Sequence, residues 1–160
     1  MNSCQIQSDS REERGEMITV RPANQNDGTA LWYWFQDPLY SFLSRSHANS
    51  VSKDEHRKWF SSVLQRDVLL IGIKDNLRMG VAWFELDKRR RFNVFIKSKY
   101  SGQIYFGKFL DSVIGELQRQ NIFNDKQVIE CASEQLSQLL MERGFSMDSK
   151  NKELLTYVGS

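Results

Sequence analysis

The chain has 160 residues, is 26% charged and 12% aromatic, and carries a formal net charge of +2. That length fits one domain with a sizeable core, and no apolar run reaches the roughly 20 residues a membrane-spanning helix needs. Only two cysteines, Cys4 and Cys131, and a polar N-terminus without an apolar signal stretch argue against a disulfide scaffold and for a reducing cytoplasm.

Residues 1–16 are polar and aperiodic and read as a disordered tail, leaving 17–160 as one domain. Ile18 and Val20, followed by Arg21-Pro22, suggest a short strand that stops at the proline. Asp27 is a plausible N-cap for a helix carrying Leu31, Trp32, Trp34 and Phe35, which Asp37-Pro38 then breaks. Ser52-Lys-Asp-Glu55 has the spacing of a capping box, and Trp59, Phe60, Val63 and Leu64 behind it fall on one helical stripe.

The period then changes. Asp67–Ile73 and Met79–Leu86 are apolar runs of strand length around the turn-like Lys74-Asp75-Asn76. Arg91–Lys97 alternates, with Phe92, Val94 and Ile96 on one face and Asn93 and Phe95 on the other. Three successive strands predict an antiparallel meander. A third helix is expected over 106–120, a strand over 127–131, and a fourth helix over 133–143 that Gly144 terminates. Two short strands, 145–147 and 154–158, complete a β-α-α-β-β-β-α-β-α-β-β order. That order predicts an α+β domain around one mixed, mostly antiparallel sheet.

Charge is uneven. Lys88, Arg89, Arg90, Arg91, Lys97, Lys99 and Lys108 occur without one intervening acidic residue, which creates a positive potential suited to phosphate-bearing ligands. Nucleic-acid binding is disfavoured, because acidic residues are plentiful elsewhere and no reading motif accompanies the patch.

From Met17 onward the chain resembles the GNAT acyl-CoA N-acyltransferases. Thr19-Val-Arg21-Pro-Ala with Asp27 is similar to the family's opening strand and helix start. Glu55-His56-Arg-Lys-Trp59-Phe60 and Gly80-Val-Ala-Trp83 resemble two branches, the amino-sugar N-acetyltransferases of flagellin-glycan synthesis and the enzymes that acetylate ribosomal-protein N-termini. Ser133 to Gly144-Phe145 is similar to the family's fourth helix, which ends in Gly-Phe.

The resemblance implies acetyl-CoA as co-substrate. The strand end Phe95, Ile96 and Lys97 would pair with the pantetheine arm. The following loop and helix start, Ser101, Gly102, Gln103, Ile104, Tyr105, Phe106 and Gly107, would hold the pyrophosphate on free amides. The family's Arg/Gln-x-x-Gly-x-Gly/Ala signature falls here on Ser101, Ile104 and Phe106, and only Gly102 survives. Ile104 held at positive φ would cost at least ~1–2 kcal/mol, and Phe106 would crowd the anion.

Amine acetylation needs a base for the ammonium and an acid for the departing thiolate. Glu85 is the leading base, Asn93 would orient a water, and Glu130 is the weaker carboxylate. The family's acid is a tyrosine where this chain has Leu140, which leaves Tyr105, or else Tyr157, as substitute. Trp34, His56, Trp59 and Glu85 are expected to line the acceptor pocket, with Trp32, Tyr40 and Phe42 as further aromatic lining. The expected activity is transfer from acetyl-CoA to a primary amine, on an amino-sugar nucleotide or a peptide N-terminus, by direct attack. The alternative is a catalytically inactive GNAT-like module that binds a ligand or partner. An edge strand near the C-terminus is available for pairing in a homodimer.

Overall fold

The structure is a computed structural model that describes residues 17–36, 52–100, 102–124 and 126–159, without the side chains of Ser98 and Gln103. The expected tail, the break at Asp37-Pro38, Tyr40, Phe42 and Ser101 lie outside the described residues.

The elements follow the expected order. They are β1 (Thr19–Pro22), α1 (Gly28–Phe35), α2 (Lys53–Arg66), β2 (Val68–Lys74), β3 (Leu77–Phe84), β4 (Phe92–Ile96), α3 (Gln103–Arg119), β5 (Val128–Glu130), α4 (Glu134–Met141), β6 (Phe145–Met147) and β7 (Leu154–Tyr157). No helix among the described residues is long and apolar enough to cross a membrane.

Local chemistry explains most boundaries. Ser52 Oγ accepts the Glu55 amide at 3.2 Å and starts α2, and Ser133 does the same for Leu136 at α4. Asp75 and Asn76 both adopt left-handed conformations, φ 53° and 63°, as a tight β2–β3 hairpin requires. Gly144, at φ 97°, ends α4 where a side chain would be strained.

Asp27 stands at the expected N-cap position of α1, but its side chain makes no capping bond to that helix. Asn24 caps a short 3₁₀ turn (Gln25–Asp27) ahead of α1, and Asp27 closes that capping box by accepting the Asn24 amide at 2.8 Å. Its carboxylate is fully buried and also takes Arg21 at 2.7 and 2.8 Å and Arg78 Nε at 2.7 Å. Asp27 thus ties β1, α1 and β3 together.

The expected single sheet is divided. Strands run in the order β1-β2-β3-β4 in one antiparallel sheet and β5-β7-β6 in a second. The two touch through one parallel bridge, Arg91 with Glu130, where the Glu130 amide donates to the Arg90 carbonyl at 3.1 Å. Beyond that point β4 has no strand partner on its outer side among the described residues. One core packs α3 and α4 on one face, through Phe109, Leu110, Val113, Leu136 and Leu140. The other packs α1 and α2 on the opposite face, through Leu31, Phe35, Phe60, Val63, Trp83 and Phe95.

Gly80 sets the β3–β4 spacing. A Cβ there would lie 2.4 Å from the Phe95 carbonyl oxygen, so only glycine permits this approach.

Candidate active site

The site is built on the unpaired edge of β4. The Glu85 amide donates to the Arg91 carbonyl at 2.9 Å and the Lys97 amide to the Met79 carbonyl at 2.8 Å. These bonds assign the odd-numbered residues of β4 to the ladder with β3. Alternation then turns the backbone groups of Val94 and Ile96 outward, into the space that opens beyond the Arg91–Glu130 bridge. Buried backbone groups need partners, so such an edge suits an amide-bearing ligand laid along it.

That edge leads through a 3₁₀ turn, Ser98–Tyr100, to the start of α3. Gly102 is the N-cap at φ −60° and ψ 149°, with no side-chain capping bond. The first helical bond runs from the Phe106 amide to the Gly102 carbonyl at 3.0 Å, leaving the amides of 103–105 without helical acceptors. Together with the helix dipole they favour an anion. Lys97 and Lys99 lie beside this end, their ammonium groups 5.5 Å from the Trp34 ring and 4.8 Å from the Tyr100 ring.

Two expectations about this segment are corrected. Ile104 is helical rather than at positive φ, and its side chain is 71% exposed, so the loop carries no such strain. Phe106 turns into the α3 core and is 7% exposed, so it does not crowd the helix start. The reason is periodicity. Once the helix begins at Gln103, Phe106 falls on the stripe with Phe109, Leu110 and Val113. Gly107 faces Arg143, whose Nη2 lies 2.7 Å from the place of an added Cβ.

Glu85 stands at the other end of β4, just past β3. It is 5% exposed and bound by Arg91, with Nε 2.5 Å from Oε2 and Nη2 3.3 Å from Oε1. Burial pushes its carboxyl above the ordinary value, with Arg91 pulling the other way. Asn93 is half-buried and pairs across the ladder with Trp83, on the face turned to α1 and α2. Trp83 Nε1 donates to Asp67 Oδ2 at 3.1 Å, and Asp67 Oδ1 accepts the Leu86 amide at 3.1 Å. The sequence marks Arg91 only as one of a basic cluster and Asp67 only as a strand start, not as partners of Glu85 and Trp83. Their residue types carry no signal until the strands are paired. Glu130 lies at the sheet junction, 3.6 Å from Arg89.

Tyr105 cannot share one reacting atom with Glu85. Its ring packs edge-on to Tyr100 at 5.8 Å, and the Lys74 ammonium sits 5.3 Å from its centroid, both at the Lys97 end. The step from Arg91 to Lys97 covers roughly 20 Å at about 3.3 Å per residue. Tyr105 therefore stands at the α3 start, at the end of β4 away from Glu85. Tyr157 accepts from Gln118 Nε2 at 2.6 Å on β7, and Leu140 is fully buried.

The aromatic candidates divide as well. Trp34 stacks on Phe95 at 5.0 Å, and Trp59 meets Trp83 edge-on at 5.3 Å, both against the sheet. His56 is buried between helices, and its Nε2–H donates to the Gly28 carbonyl at 3.0 Å. It lines, with Trp32, Lys53, Arg57 and Phe60, a cavity of about 300 Å³ between α1 and α2.

By sequence, no family model and no curated relative matches the chain. By structure, many solved proteins do. A ribosomal L7/L12 α-N-protein acetyltransferase, RimL, in complex with coenzyme A superposes with a TM-score of 0.65 at 14% identity, covering 88% of this chain and 91% of that one. The fold is that of the GNAT acetyltransferases. Aminoglycoside acetyltransferase AAC(6')-Ib with coenzyme A and kanamycin matches at 0.67 and 11% identity, over 88% and 94%. A spermidine N-acetyltransferase SpeG chimera from Vibrio cholerae and hSSAT matches at 0.65 and 13%, over 88% and 92%. At 11–14% identity these likenesses show the fold.

Proposed function

We propose that the chain transfers an acetyl group from acetyl-CoA to a primary amine. The observation that carries this reading is the continuous path from the unpaired β4 edge at Val94 and Ile96 to the uncapped amides at the start of α3. The donor set fits the cofactor. An amide-rich arm would bond the strand edge, and a diphosphate would meet amides 103–105 with Lys97 and Lys99 nearby. Acetyl-CoA, when bound, would supply the thioester carbonyl that the amine attacks; the C–S bond would break as the amide forms, and CoA would leave as the thiolate and take its proton from solvent.

Glu85 takes the ammonium proton on the α1–α2 face, through a water that Asn93 orients. Burial suits it to this work, because a carboxylate with a raised pKa is the stronger base. Trp34, Trp59 and His56 line the acceptor's approach, and an amino-sugar nucleotide or a peptide N-terminus is the proposed acceptor. Direct attack agrees with Cys131, which is buried with its Sγ 3.6 Å from the Ser133 carbonyl and its thiol pushed up by burial. A thiol so held is a poor nucleophile.

Thermal stabilisation by acetyl-CoA, compared with ATP at equal concentration, tests the cofactor path. Release of free thiol in the presence of amines tests transfer. Stabilisation by acetyl-CoA beyond that by ATP, followed by amine-dependent thiol release, is expected. Equal shifts with both ligands, or none, would overturn the reading. One observation favours a second reading, a binding module without turnover: Leu140 is fully buried at the position where the resemblance places a tyrosine acid. Stabilisation without thiol release would support that module.

A further inference from the structure

The hairpin between β3 and β4, residues 85–91, holds four basic residues in succession, and the fold uses only two of them. Arg91 is bound to Glu85, and Arg89 lies 3.6 Å from Glu130. Lys88 and Arg90 have no acidic partner among the described residues, although Lys88 is exposed and Arg90 is half-exposed. Asp87 forms no ion pair with either among the described residues. Its Oδ1 is occupied as a turn acceptor, taking the amides of Arg89 at 3.0 Å and Arg90 at 3.3 Å.

Arg90 is also fixed in place. Its φ is 48°, a left-handed conformation that a non-glycine residue rarely adopts. Its amide is held by Asp87 and its carbonyl by the Glu130 amide, at the single point where the two sheets meet. A backbone held in this conformation at the edge of a candidate site is a feature from which function can be inferred. The hairpin adjoins Glu85, at the end of β4 opposite the start of α3, so its charges lie on the acceptor side and not beside the cofactor's phosphates.

We infer that the acceptor amine carries a phosphate or diphosphate, seated on Lys88 and Arg90 of the β3–β4 hairpin. This rests on the acetyltransferase reading and narrows it. Polycations such as spermidine or kanamycin would meet repulsion at this rim, whereas an amino sugar bearing phosphate gains two charge-assisted contacts. Because the contacts are exposed, they weaken as salt rises.

The test is calorimetric binding with the full chain in the presence of CoA, so that it does not depend on turnover. The probes are UDP-glucosamine, glucosamine 1-phosphate, glucosamine and an acidic peptide. Both phosphate-bearing probes are expected to bind more tightly than glucosamine. UDP-glucosamine is expected to weaken at least about tenfold in the Lys88→Ala/Arg90→Ala variant and again with added salt. Tighter binding by UDP-glucosamine than by glucosamine 1-phosphate would assign the nucleotide-linked sugar; equal binding would assign the simple sugar phosphate. Equal binding of glucosamine and UDP-glucosamine, no effect of the double variant, or binding of the acidic peptide alone would overturn the inference. Circular dichroism of the variant separates lost contacts from lost folding. Failure of the acetyltransferase reading is recognised separately, as phosphate-dependent acceptor binding without amine-dependent thiol release.

Discussion

Arg91 Nε lies 2.5 Å from Glu85 Oε2 across a pair of residues whose backbones are also joined, the Glu85 amide donating to the Arg91 carbonyl. The carboxylate is therefore fixed twice, at the one place where β4 is still tied to the second sheet. Such fixation sets the direction of the proposed base.

Glu85→Gln keeps the shape and an oxygen for Arg91 but cannot take a proton. Amine-dependent thiol release should fall at least about 100-fold while acetyl-CoA binding persists. Burial raises the Glu85 carboxyl, so the active carboxylate predominates only above that raised value. The wild-type kcat/KM should climb with pH through a point above 4.5, the ordinary value for the group. A variant that retains this limb would remove Glu85 from the base role.

Asp27 gives a stability prediction of opposite sign. Burial alone would raise its pKa, but Arg21, the Asn24 amide and Arg78 outweigh burial and hold it at about 2. A depressed folded value means that the stabilisation is present above the ordinary 3.8 and is lost as pH falls toward about 2. Asp27→Asn should cost about 2–3 kcal/mol at neutral pH, less than a fully buried pair because both arginines are over a third exposed. Urea unfolding at pH 7 and pH 2.5 checks both points. The difference between wild type and variant should shrink at the lower pH.

Gly102 separates folding from binding. Its φ of −60° suits any residue, and an added Cβ would meet nothing within 4 Å. Gly102→Phe should therefore change stability by no more than about 1 kcal/mol. It should abolish stabilisation by acetyl-CoA, because the side chain would stand over the free amides of α3. An unchanged shift in Tm with acetyl-CoA would place the phosphate elsewhere.

Gly80 behaves in the reverse manner. Its Cβ would collide with the Phe95 carbonyl oxygen at 2.4 Å, and this contact is backbone that cannot rotate away. Gly80→Ala should cost about 1–3 kcal/mol, read as a lower Tm, through displacement of β4. Stability equal to wild type would mean that the two strands are spaced more widely than described.

Periodicity, with caps and turn residues, determined the order and type of the α-helices and strands, because elements that bury one face must repeat apolar residues at 3.6 or 2.0. It placed Phe92, Val94 and Ile96 opposite Asn93 and Phe95, and the two cores divide on those faces. The terminal glycine of α4 and the capping serine of α2 were legible from local sequence as well. Only the tertiary structure decided what depends on pairing between distant segments. The division into two sheets hangs on a single bridge between Arg91 and Glu130, 39 positions apart, which leaves no mark in either local sequence. Asp27 was legible at the start of α1, but its bonds to Arg21 and to Arg78 of β3 were not. Ile104 and Phe106 looked like obstacles to an anion until the helix began three residues earlier than expected and turned one outward and the other into the core. Tyr105 and Glu85 looked like partners until strand length set Arg91, beside Glu85, roughly 20 Å from Lys97 at the other end of β4. Sequence fixes what a residue prefers locally, while long-range strand pairing selects its neighbours.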